Sequence, residues 1–325
     1  MTDFNKFYPN YVPWFNEQLH TYPLPDKPEN LYKPVRYALD GGGKRIRPAL
    51  LAALADSYGI SREESLHAAL AIEMIHLFTL VHDDIMDSDE LRHGKPTLHV
   101  KWDLNTGILS GDALFTLAFK CLTERNSPAI YQANRIFIQS ILDVCEGQSL
   151  DLDFETTEDV TEEAYLTMIE KKTGHLLSGA AKIGAVLGGA SHKDLELIES
   201  VILAVGRAFQ LQDDLLELTS STDNMGKSLG SDLIEKKKTY LLINAYKAAD
   251  KKQRSLLDSM LTPDYIFNNG INSIRELFHT LGVIEMTVNR IKQEAEKTRL
   301  ITRQLPEPQQ NILNTFSSFI LNRTK

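Results

Sequence analysis

Between Pro128 and Pro263 this 325-residue chain contains no proline, and that stretch limits the fold more than any other feature. It is rich in Ala, Leu, Ile, Glu and Lys, which lose little on entering a helix, and it lacks the one residue that breaks helices outright. Most of the twelve prolines fall before residue 50. No pair of alternating apolar runs flanks an Asn-Gly or Asp-Gly turn, so no hairpin is expected. Helices are predicted after Asp3, near Pro28 and at Pro48, where proline suits a first turn. The capping box Ser61-Arg62-Glu63-Glu64 opens a helix that runs into Asp87. Further helices are expected at 105–125, 129–150, 193–219, 238–261, 273–301 and 307–322, with another opened by Thr161 that carries Lys172 and Thr173. The acidic segment 151–160 reads as a loop, as do the segments between Asp87 and Asn105 and between Leu218 and Lys237. There is no fixed-period repeat, no low-complexity tract and no dividing linker. The expectation is one all-α domain over residues 1–325.

Composition narrows the function classes. A net charge of -9 argues against a general nucleic-acid binder, which needs a basic footprint. No apolar run is seen to approach the roughly 18 residues of a membrane span. Cys121 and Cys145 lie in apolar stretches and read as two buried thiols, which suits a reducing compartment better than a disulfide framework. The N-terminus shows no basic segment followed by an apolar core. A cytoplasmic protein is expected.

Chemistry concentrates in two aspartate clusters, Asp83-Asp84-Ile85-Met86-Asp87 and Asp213-Asp214-Leu215-Leu216-Glu217. In each, the first and last carboxylates are four residues apart, which stacks them on one helix face, one turn apart. Like charges there repel, and the first cluster adds them to the negative end of a helix dipole. A hard divalent cation relieves both costs, and Mg²⁺ favours a few carboxylates shared with substrate phosphates. The pair His82-Asp83 also resembles the core of an HD-type phosphohydrolase, but further His ligands are not in evidence, and no closed His/Cys set for zinc is read. Oxygen-only ligation favours Mg²⁺ or Mn²⁺.

Cations interleave with the acids. Gly41-Gly42-Gly43-Lys44-Arg45-Ile46-Arg47-Pro48 places glycines and three cations before a helix start, a pattern suited to an anion. Arg92-His93-Gly94-Lys95 follows the first cluster, Lys171-Lys172-Thr173-Gly174 lies mid-chain, and Lys227 and Lys236-Lys237-Lys238-Thr239 follow the second cluster. Any one such run is ordinarily solvated surface. Interleaved with two acid clusters, they make a pattern of metals and diphosphates.

In this ordered set the chain resembles the trans-isoprenyl diphosphate synthase family (polyprenyl synthetases), short-chain type, over nearly its whole length. The resemblance rests on Gly43-Lys44-Arg45-Ile46-Arg47-Pro48, Asp83–Asp87 with Arg92 and Gly94-Lys95-Pro96-Thr97, Gly147-Gln148, Lys172-Thr173, Phe209-Gln210-Leu211-Gln212-Asp213-Asp214, Gly226-Lys227, and Gly230-Ser231-Asp232 leading to Lys237 and Thr239. It implies an all-helical isoprenoid-synthase bundle around a central cavity, usually homodimeric, which condenses isopentenyl diphosphate with an allylic diphosphate. It further implies that Asp83, Asp87 and Asp213, supported by Asp84, Asp214 and Glu217, bind a trinuclear Mg²⁺ set that Mn²⁺ can replace. Arg92, Lys172, Gln210, Lys227 and Lys237 would hold the allylic diphosphate. Lys44, Arg47 and His76 would hold isopentenyl diphosphate, with His93 at a position where the family usually has arginine. Thr173 and Gln210, with Lys172, would face the developing carbocation. The second cluster ends in Glu217 where aspartate is usual.

Product length in such enzymes depends on bulk just before the first cluster. Phe78 lies five residues before Asp83, about 7.5 Å along a helix, with small Thr79 beside it. That single bulky position resembles geranylgeranyl more than farnesyl synthases. Farnesyl diphosphate synthase, a non-catalytic subunit tuning another synthase, and a class I terpene cyclase stand as alternatives. A cyclase holds no second diphosphate, so Lys44, Arg47 and His76 count against it. Silent partners tend to lose an aspartate cluster, and this chain keeps both.

Overall fold

The computed structural model describes residues 3–124, 127–219, 233 and 237–322. They are almost entirely helical and group into two compact units. The first comprises residues 1–141, 176–199 and 302–316; the second comprises 142–175, 200–301 and 317–325.

In the first unit, α1 (Phe4–His20), α2 (Glu29–Leu39), α3 (Ile46–Ser57), α4 (Arg62–Met86) and α6 (Leu104–Leu122) supply most of the core. Ala49 through Ala55 on α3 are all fully buried, as are Ala69, Ala71, Ile72, Met74 and Ile75 on α4. Helices apolar on every side belong at the centre of a core. The capping box that opens α4 is complete: Glu64 N–H donates to Ser61 Oγ at 3.2 Å, and Ser61 N–H donates to Glu64 Oε2 at 3.0 Å. α4 passes the length and hydropathy test for a membrane span, against the expectation that no segment does. Yet 61% of its apolar window is buried in protein, so that apolarity serves the core.

The second unit contains α8 (Glu162–Ile169), a π-helical turn (Glu170–Gly174), much of α10 (His192–Thr219), and α11 (Tyr240–Ala248), α12 (Lys251–Met260), α13 (Pro263–Asn269), α14 (Asn272–Thr280) and α15 (Val283–Thr302, its last residue in the first unit). One of its cores gathers Leu218, Leu242, Leu257, Leu261, Ile274 and Phe278. α9 (His175–Leu187) continues from the π turn, α7 (Pro128–Thr156) has residues in both units, and α16 (Glu307–Leu321) closes the chain.

Five further expectations are corrected. α7 runs on to Thr156, so most of the expected loop at 151–160 is helix; its run of carboxylates is tolerated because it lies on a largely exposed face. The expected helix at 238–261 is two, because Asp250 begins a new capping box with Gln253. The expected helix at 273–301 is also two, parted at Gly282, whose φ of 72° only glycine adopts cheaply. And there is a hairpin: Leu91–Arg92 (β1) pairs with Lys95–Pro96 (β2), followed by the short α5 (Leu98–Lys101). Its turn residues His93 and Gly94 have φ of 51° and 75°, the left-handed pair of a type I′ turn. The two-residue arms are too short to show alternation. Cys145, expected to be buried, is exposed.

Candidate active site

The first cluster ends α4. Asp83 is half-buried on the last turn, and Asp87 caps it, its N–H bonded to the Asp83 carbonyl at 2.8 Å, so both lie on one continuous turn. Asp84, between them, is buried and accepts from Arg92, with Nε at 2.7 Å and Nη2 also in contact. Burial raises the Asp84 carboxyl above its usual value, and the Arg92 bond opposes that without cancelling it. Arg92 also reaches Asp89 at 3.3 Å. His82 is turned away from the acids: Nε2 lies 3.3 Å from the Ile108 carbonyl, and the ring meets Phe78 edge-on with centroids 4.7 Å apart. That placement leaves the HD-type reading without its histidine.

The glycine-rich loop and the hairpin meet beside this helix end. The Tyr37 hydroxyl donates to the Pro96 carbonyl at 2.9 Å, and Lys95 Nζ donates to the Asp40 carbonyl at 3.3 Å. A methyl group added at Gly43 would lie 3.7 Å from the His93 ring, so the turn brings His93 over the loop. A pocket here is lined by Tyr37, Gly42, Leu77, Asp84, Arg92 and His93. Of the three loop cations, Arg45 belongs to the interior. It is buried, donates to Glu73, to the Leu39 carbonyl at 3.1 Å and to Asn16 at 3.0 Å. Lys44 is exposed, and Arg47 is half-buried with Nη1 3.1 Å from His76 Nε2. Burial, then Arg47, Arg45, Arg92 and His93, hold the His76 pKa well below its ordinary value, so its ring is neutral and accepts from Arg47. Arg47 Nε is buried with no partner, an atom a bound anion would satisfy.

Phe78 meets Phe115 edge-on at 5.3 Å, Phe115 meets Phe119 at a tilt at 5.1 Å, and Phe119 meets Phe137 edge-on at 5.2 Å. Thr79 bonds back to the His76 carbonyl at 2.8 Å, which tucks its hydroxyl against the helix.

In the second unit the π turn sets the geometry. Single π turns often mark functional sites, and this one carries Lys171, Lys172 and Thr173. Lys171 pairs with Asp143 at 3.2 Å and with Glu146, whereas Lys172 points to Asp151, 2.6 Å away. Gly147 permits this approach, since a Cβ there would lie 2.2 Å from the Lys172 nitrogen. Beside it, both side-chain polar atoms of Gln148 are buried without partners. On α10, Asp213 is exposed and Glu217 half-buried one turn later, while Asp214 is buried, bonded by the Tyr165 hydroxyl at 2.6 Å and by Gln210 Nε2 at 3.1 Å. Gln210 thus spends its amide nitrogen on Asp214 and keeps its carbonyl oxygen for other partners. Lys237 is exposed, and Thr239 caps α11. Lys227 lies outside the described residues.

Both clusters therefore share a plan. The middle aspartate is buried and bonded to protein, and the outer carboxylates reach solvent. Sequence reasoning missed the partners that create this plan (Tyr165 for Asp214, Asp151 for Lys172, Glu73 for Arg45). No spacing rule connects residues 49, 28 or 21 positions apart.

An all-α fold with paired carboxylate clusters and flanking cations defines a metal-and-diphosphate enzyme class, and comparison makes the class specific. Residues 28–278 match the polyprenyl synthetase family. The chain is 46% identical to a geranylgeranyl diphosphate synthase from Methanosarcina mazei over 227 residues, covering 69% of this chain and 70% of that one. It is 44% identical to a geranylfarnesyl diphosphate synthase from Natronomonas pharaonis, covering 67% and 70%. A solved geranylgeranyl pyrophosphate synthetase from Pyrococcus horikoshii superposes with a TM-score of 0.88 at 32% identity, over 98% of each chain. The chain belongs to the polyprenyl synthetase family.

Proposed function

We propose that the protein is a prenyltransferase that adds isopentenyl diphosphate to an allylic diphosphate and releases geranylgeranyl diphosphate. The observation that carries this reading is the shared plan of the two clusters, with outer carboxylates reaching solvent and Arg92 bonded to the middle aspartate of the first. Family membership supplies the reaction class. The M. mazei relative's name supports the geranylgeranyl product, and the aromatic ladder starting at Phe78 supports a stop near that length.

The residues fit a divalent metal. Asp83 with Asp87, and Asp213 with Glu217, are oxygen donors one turn apart, a hard-cation set. On this reading these four hold Mg²⁺, and Asp84 and Asp214 fix the helix turns that present them. Bound there, the metal would neutralise the diphosphate leaving group. Arg92, Lys172, Lys227 and Lys237 add positive charge to the same leaving group, which stabilises charge as it develops. Arg47, with its unpartnered Nε, Lys44 and His93 hold the second diphosphate; the shorter histidine in place of arginine makes this hold weaker. The carbonyl oxygen of Gln210 and the hydroxyl of Thr173 face the carbocation. The allylic C–O bond ionises, the isopentenyl alkene attacks the carbocation to form the new C–C bond, and the departed diphosphate takes up the proton that is lost. Phe78 and its neighbours exclude water that would quench the cation.

On this reading the enzyme is a cytoplasmic homodimer. The apolar side chains that α6 and α7 leave exposed, among them Ile108, Leu109, Tyr131 and Ile138, are the kind of face a second copy covers. The test is activity on isopentenyl diphosphate and an allylic diphosphate with and without chelator. Elongation that needs Mg²⁺ and fails in Asp83→Ala and Asp213→Ala supports the reading. Elongation that survives chelation overturns the metal assignment.

A further inference from the structure

Away from the aspartate clusters, three side chains of different chemistry converge at the far end of α4. His67 lies on its second turn, Cys121 near the end of α6, and Glu124 just after it. Their ligand atoms, one from each, all lie within 4.8 Å of one another. His67 Nδ1 is 2.9 Å from Glu124 Oε2 and 3.8 Å from Cys121 Sγ. His67 is sixteen residues before Asp83 on the same helix, about 24 Å along its axis, so this is a separate place from the first cluster.

A single imidazole nitrogen faces both the thiol and the carboxylate, and it can serve only one of them. Protonated, Nδ1 donates to Glu124 and offers nothing to the thiol. Unprotonated, it accepts from the thiol and repels the carboxylate. A cation at the shared centre satisfies all three at once. Cys121 is fully buried, so its sulfur faces His67 and Glu124 inside the protein rather than solvent.

We propose that His67, Cys121 and Glu124 form a binding site for a thiophilic divalent cation of the zinc type, with a fourth position left for water. Mixed nitrogen, sulfur and oxygen ligation suits zinc-like ions and discriminates against Mg²⁺. The ion would pin the end of α6 to α4, a structural role distinct from catalysis.

The experiment uses the full chain, stripped with chelator and returned to buffer with excess Mg²⁺ so that the oxygen sites are filled. Co²⁺ is then titrated while thiolate-to-cobalt charge-transfer absorption is followed in the near ultraviolet. The expected result is one Co²⁺ per chain with a thiolate band that zinc displaces. The band should vanish in Cys121→Ser, persist in Cys145→Ser, and need at least tenfold more Co²⁺ in His67→Gln and Glu124→Gln. Those last two lie at half-exposed and exposed positions, so they report even where Cys121→Ser fails to fold. No thiolate band in the parent protein, or titrations of His67→Gln and Glu124→Gln that match it, would overturn the proposal.

Discussion

Asp84 and Arg92 are bonded to each other at the mouth of the first cluster, with Arg92 Nε 2.7 Å from the buried carboxylate. The aspartate in the middle of the motif thus orients the cation assigned to the allylic diphosphate. Asp84→Asn keeps the shape and removes the charge that holds the guanidinium. It should lower kcat/KM for the allylic substrate by about 10- to 100-fold, the usual cost of losing a supporting contact. Asp83→Asn should cost more. Steady-state kinetics with both variants check this; equal losses would mean that Asp84 is itself a ligand.

Arg45 and Glu73 form an ion pair in which each side chain is 3% exposed. Arg45 also stands at φ 49° as the residue before α3, so its placement fixes how the glycine loop enters that helix. Glu73→Ala leaves a buried guanidinium unpaired, which costs about 3–5 kcal/mol. Urea unfolding of the apo protein should show this as a large fall in midpoint. Lys44→Ala, at an exposed position, should leave the midpoint nearly unchanged.

His76 makes stability depend on acidity. Its folded pKa is depressed, so below the ordinary histidine value near 6.5 the unfolded chain takes up a proton that the folded chain refuses. The stability it contributes is present above about pH 6.5 and is lost as pH falls, by up to about 1.4 kcal/mol per pH unit. His76→Gln, which keeps an acceptor for Arg47 and cannot titrate, should flatten this limb. Unfolding curves at pH 5 and pH 7 for both proteins measure it.

Phe78 is backed by Phe115, 5.3 Å away, and then by Phe119. Removing one ring therefore opens space only as far as the next. Phe78→Ala should lengthen the product by about one isoprene unit, a rise of roughly 5 Å being about one helical turn. Phe78→Ala with Phe115→Ala should lengthen it further. Chromatography of dephosphorylated products reads the outcome, and an unchanged product would remove Phe78 from the floor of the cavity.

How much of this was legible in the sequence follows from how local each cause is. The helices were readable because their causes are local, such as the capping box at Ser61 and the proline-free run after Pro128. The breaks at Asp250 and Gly282 were harder, since a single residue decides them within an unbroken helical composition. The hairpin at 91–96 was hidden because its strands are two residues long. In the site, types and order were legible but commitments were not. That Arg45 turns inward while Arg47 meets His76, and that Asp214 is held by Tyr165, depend on burial and on contacts between distant positions. The same holds for His67, which no sequence spacing brings to Cys121 and Glu124.

The most direct test of the central claim is a single incubation. Purified protein is given Mg²⁺, labelled isopentenyl diphosphate and farnesyl diphosphate, and the extracted product is identified by chromatography. The account predicts geranylgeranyl diphosphate as the principal product, formed by one addition. No incorporation of label into any elongated product would contradict it.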